Sequence, residues 1–98
     1  MRAEISYDLI MRDDMAFAEG CYRLPGRDWQ VVIVSASNRN IAAPQTVNSE
    51  WESGASGVVV HLPREIPINA SNVEQVLGNA LGVSEWVRVQ GPNSMDLR

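Results

Sequence analysis

The sequence predicts an α+β fold in a single domain over residues 1–98. It consists of a mostly antiparallel sheet of about five strands with one main helix, about 71–81, packed on one face. Three observations carry that expectation. Several short stretches alternate apolar and polar residues or are continuously β-branched. One stretch alone has the helical apolar period between a start and a stop signal. The helix falls late, after a run of strands, and not between each pair of them.

The helix is the clearest element. Ser71 and Glu74 stand three apart ahead of an apolar-periodic run, the spacing of a capping box. Val73, Val76, Leu77, Ala80 and Leu81 fall on one stripe, and Gly82 suits a left-handed stop. Gly78 inside the helix costs about 1 kcal/mol relative to Ala, and close approach to a sheet is the expected compensation. A helix of about three turns is marginal alone in water, so it needs a sheet to lie on.

Taken in order, residues 3–11 alternate, with Ile5, Tyr7, Leu9 and Met11 on one side. Arg12-Asp13-Asp14 is a turn, because Asp side chains support turns through local hydrogen bonds. Residues 15–22 alternate again and read as a hairpin partner with a bulge at Gly20; a short helix capped by Asp13 or Asp14 is the alternative. Pro25-Gly26 suits a type II turn. Trp29 to Ser35 is β-branched and apolar on both sides, which suits a central strand buried on both faces.

Asn38 to Ser56 is irregular and predicts a short helix near 47–53 or a functional loop. Val58 to Leu62 is a strand, and the two prolines of 63–69 make that stretch a crossing towards the helix. Glu85 to Gln90 is the last strand, made parallel to the strand before the helix by a crossover. The tail from Gly91 is expected to fray.

Composition narrows function more than any motif does. The 98 residues are 45% hydrophobic and 20% charged, enough for one core and unlike a disordered chain. The net charge of −4 argues mildly against general nucleic-acid binding. All eight basic residues are Arg, which removes lysine chemistry and the Gly-Lys phosphate loop. One cysteine excludes an internal disulfide. No signal peptide and no membrane-length apolar run is evident, so the expected setting is cytoplasmic and soluble, away from membranes.

No catalytic set, metal site or cofactor is indicated. His61 is the sole histidine and lacks ligands at sensible spacing. Cys21 reads as a small hydrophobe; Asp13 with Asp14 and Glu50 with Glu52 read as turn and solvated charges. The ligand-binding candidates are His61 and Trp51. The partner-interface candidates are Trp86 and Arg88, expected on a sheet face the helix leaves bare, because Trp and Arg are enriched at binding hot spots.

The first functional reading is a non-enzymatic interaction protein. It is expected to be a homodimer engaging a protein partner, of accessory, inhibitor or immunity type. The second is a small-molecule or isomerase-like pocket closed by residues 38–56, with His61 or an acidic residue inside. The third is a nucleic-acid regulator using Arg23, Arg27, Arg39 and Arg64.

Overall fold

The computed structural model describes residues 1–36 and 40–98; Asn38 and Arg39, named above, lie outside the described residues. The chain runs β1 (Arg2–Arg12), β2 (Met15–Arg23), β3 (Gln30–Ala36), β4 (Gln45–Glu50), β5 (Ser56–Leu62), α1 (Ala70–Leu81), β6 (Glu85–Arg88) and α2 (Ser94–Leu97). It is α+β, with six strands in the order β4-β5-β3-β2-β1-β6 and one main helix.

The sheet is mixed, where a mostly antiparallel one of about five strands was expected. β1–β2, β2–β3 and β4–β5 pair antiparallel, whereas β3–β5 and β1–β6 pair parallel. The cause is the two longer connections. The one through α1 returns the chain in its original direction, as a crossover must, whereas the one after β3 leads to β4, whose hairpin then sets β5 between β4 and β3 and parallel to β3. β5 and β6 do run parallel across α1, but β3, β2 and β1 lie between them.

The β1–β2 hairpin turns on Asp13 and Asp14, both with positive φ (50° and 60°), the geometry of a two-residue turn between twisted strands. Residues 15–23 are therefore strand and not helix. Pairing is one-to-one from Glu4–Arg23 to Arg12–Met15, so Gly20 makes no bulge. It is glycine because a Cβ there would strike the Ser6 carbonyl and Tyr7. The expected turn at Pro25-Gly26 forms, with Gly26 at φ 72° and the Arg27 N–H donating to the Leu24 carbonyl at 3.1 Å.

The 47–53 helix does not form. Gln45–Glu50 is instead an edge strand on β5, and the chain turns back at Gly54 through Trp51 N–H to Ala55 O at 2.8 Å. Partner strand β5 overrides the local propensity, as tertiary context does for weakly patterned segments.

α1 is capped two residues earlier than the capping box implied. Asn69 Oδ1 accepts from the Asn72 N–H at 2.8 Å, and Gly82 closes the helix at φ 71°. The close approach at Gly78 is to the backbone after the helix: a Cβ would stand 2.6 Å from the Val83 carbonyl. Val73 and Leu77 of α1 meet Ile5, Ala18, Tyr22, Val32, Val34, Val58, Val60 and Leu62 in the core. Val76 and Leu81 border it, while Ala80 is exposed. Burying a Leu-sized side chain there stabilises the fold by about 1.5–3 kcal/mol.

The tail packs where fraying was expected. Gly91 passes between Trp29 and Ser6, where a Cβ would lie 2.9 Å from the Trp29 ring. α2 then rests against β2 and β3 on the face opposite α1. The buried Ser94 hydroxyl donates to Glu19 Oε1 at 3.2 Å, Arg98 pairs with Glu19, and the Ser53 hydroxyl donates to the Leu97 carbonyl at 2.5 Å. Cys21 and Val31, on that same face, are fully buried.

Candidate functional site

Side-chain alternation divides each strand between two faces. Val32, Val34, Val58 and Val60 meet α1, so Ile33 and Val59 point the other way. Strand register then lines up Glu19, Ile33, Val59 and Val47 in one row across β2, β3, β5 and β4. The next row is Ile10, Phe17, Ser35, His61 and Gln45. The tail covers the row before these, Cys21 and Val31 among it, and reaches Glu19 of the first row through Ser94 and Arg98. Ile10, Phe17, Ile33 and Val59 are half-buried and Val47 is 49% exposed, so an apolar strip crosses five strands beside α2. Of the two carboxylates in the first row, Glu19 is engaged by Arg98 and Ser94, and Asp8, opposite Glu19 on β1, is exposed.

The structure separates the two ligand candidates. His61 opposes Gln45 at one end of β4, whereas Trp51 follows Glu50 at the other. At about 3.3 Å per residue those ends stand roughly 17 Å apart along the strand. His61 has Ser35 and Gln45 as cross-strand neighbours, with no acidic residue opposite it. The segment expected to close a pocket over it supplies the edge strand instead.

Trp86 and Arg88 lie on the α1 side, a correction to their expected face. Parallel pairing sets them beside Ala3 and Ile5, which share a face with Tyr22. The Trp86 ring meets Tyr22 edge to face, with centroids 6.4 Å apart, and its Nε1–H donates to the Glu74 carbonyl at 2.9 Å. Arg88 Nε and Tyr7 Oη both donate to Glu74 Oε2, at 2.8 and 2.5 Å. Glu74 thus ties α1 to β1 and β6 instead of closing a capping box. Burial first, and then the Glu74 hydrogen bond, push the Tyr7 phenol up to about 12; the same Glu74 contact raises Arg88. A tyrosine held neutral beside a carboxylate that carries its guanidinium partner is an anchoring network.

Burial also pushes the Cys21 thiol up to about 11, which keeps it protonated and unreactive at neutral pH. Among the described residues no group of His, Cys, Asp and Glu could hold a metal ion. No described helix is long and apolar enough to cross a membrane.

A cleft of about 580 Å³ lies elsewhere, at the β6–β1–β2 end of the tail-bearing face, and none of the four ligand and interface candidates lines it. Its residues were not singled out together, because β1, β2 and β6 are remote in sequence until the sheet forms. A clue was present in Arg23 and Arg27 flanking Pro25-Gly26.

Comparison of the chain with protein-family models, with curated proteins and with solved structures finds no match.

Proposed function

We propose that this is a non-enzymatic interaction protein that self-associates as a homodimer through the sheet face opposite α1. The observation supporting it is the apolar strip of Ile10, Phe17, Ile33, Val59 and Val47, which the tail leaves uncovered. A second copy fits this strip because both surfaces would be apolar, Glu19 is internally paired, and the exposed Asp8 stands at the β1 end of the row, away from Ile33, Val59 and Val47. Facing copies would then meet on Ile33, Val59 and Val47 with the Asp8 carboxylate left at the rim, despite a net charge of −4 on each. Two identical strips related by a two-fold axis make an isologous contact. The accessory, inhibitor or immunity role follows from the same surface being offered to a different protein.

Sedimentation equilibrium tests the reading. The chain should sediment as a dimer at micromolar concentration, and Ile33→Arg or Val47→Arg should sediment as a monomer with an unchanged circular dichroism spectrum. A wild-type chain that stays monomeric up to millimolar concentration would overturn it.

A further inference from the structure

The cleft at the β6–β1–β2 end has a volume of about 580 Å³, within the range of small-molecule sites. Its apolar side chains are the half-buried Leu24 and Val87, while buried Ala3 turns its side chain to the α1 face and contributes backbone. Its rim carries three of the chain's eight arginines, Arg2, Arg23 and Arg27, against the single carboxylate of Glu4. Elsewhere the balance is the reverse, since the chain holds twelve acidic residues to eight basic ones.

Arg23 is fixed in place. Its Nε and one terminal nitrogen donate to Glu4 Oε1 at 2.8 and 2.5 Å, and its guanidinium lies 4.9 Å above the Trp29 ring. Arg2 is loosely paired with Glu85 at 3.8 Å, both side chains about two-thirds exposed. Arg27 has no acidic partner among the described residues. It follows directly on the Pro25-Gly26 turn, whose N–H to carbonyl bond fixes where that side chain departs.

We propose that this cleft binds a small amphipathic anion, an aromatic or branched acid. Its apolar body would lie on Leu24 and Val87, and its carboxylate or phosphate would be met by Arg27 and Arg2. The fixed Arg23 supplies standing positive potential, and the two looser arginines close on the charge. Guanidinium groups suit this task because their planar donors match carboxylate and phosphate oxygens two at a time. The site is separate from the apolar strip: along β1 the cleft lies at Arg2 and Glu4, the tail crosses at Ser6, and the strip begins at Ile10.

The test is a titration with phenyl phosphate and, in parallel, benzoate, followed by amide nitrogen–proton NMR on the isotope-labelled chain. Saturable shifts of the Ala3, Gly26, Arg27 and Val87 amides are expected with at least one of the two acids; which one distinguishes a phosphate from a carboxylate headgroup. Arg27→Gln should weaken binding about tenfold, the effect of one charge-assisted hydrogen bond, while the spectrum keeps its dispersion. Benzyl alcohol, the uncharged counterpart, should bind measurably more weakly. Three results would each overturn the proposal. They are no saturable shift with either acid, inorganic phosphate binding as tightly as phenyl phosphate, and a single-stranded oligonucleotide outcompeting both acids at these amides.

Discussion

The two faces of the sheet are closed by different means. On one, α1 presses Val73 and Leu77 into a continuous apolar layer, and a capped three-turn helix spreads over several strands at once. On the other, a four-residue helix and its approach segment are pinned by Ser94, Arg98 and Ser53, largely through a single carboxylate, Glu19. The first closure is apolar and distributed, so no one polar contact decides it. The second is polar and concentrated, and it ends partway across the sheet. That difference is why the same sheet has a finished core on one side and a bare strip on the other.

The strongest way to break the comparison is a matched pair of truncations. Leu77→Ala, in the α1 layer, should cost about 2–5 kcal/mol in urea unfolding. Val59→Ala, in the strip, should cost less than about 1.5 kcal/mol, because its side chain is only half-buried. Equal losses would mean that the strip is part of the core.

Next in size is Glu19→Ala, expected to cost about 1–3 kcal/mol through the loss of charge-assisted hydrogen bonds and of a partner for Arg98. Amide exchange should then accelerate over 91–98 while α1 stays protected. Uniform acceleration would mean that the two faces open together.

Cap substitutions are smaller. Asn69→Ala should cost about 1 kcal/mol and Ser71→Ala under about 0.5 kcal/mol. The reverse order would restore the capping box centred on Ser71.

Alkaline titration sharpens the contrast by onset. Both thiol and phenol are raised in the fold, so their stabilising contribution is complete at low pH and is lost as pH rises. The Cys21 contribution, on the tail side, should disappear between its ordinary value of 9.0 and about 11. That of Tyr7, on the α1 side, should disappear between 10.0 and about 12. Cys21→Ala should flatten the earlier part of the pH–stability curve and Tyr7→Phe the later part. Curves unchanged by either substitution would remove both groups from the alkaline transition.

What could be read in the sequence follows the range of the interactions concerned. The Pro25-Gly26 turn, the Gly82 stop and the β5 run are decided within a few residues, and they form where the pattern places them. The direction of β6, the strand at 45–50 and the packing of the tail depend on partners far along the chain, and no local pattern encodes them. Trp86 shows the cost most plainly. Alternation correctly separates it from Val87, but alternation does not say which of two faces a helix will choose. The cleft is a harder case still, since Glu4, Arg23 and Val87 become neighbours only through two pairings of different sense.

The pairing of β6 with β1 also has a consequence for how the chain assembles. β1 is made first, yet its second neighbour is the last strand made, with Arg2 opposite Glu85. During synthesis the hairpin of β1 and β2 can form at once, but β1 keeps an open edge until nearly the whole chain has emerged. Contacts so distant along the sequence slow folding. For that interval the nascent protein displays an unpaired strand, a template that other chains can join. β6 is short, but it is the strand that closes this edge over Arg2 to Ile5.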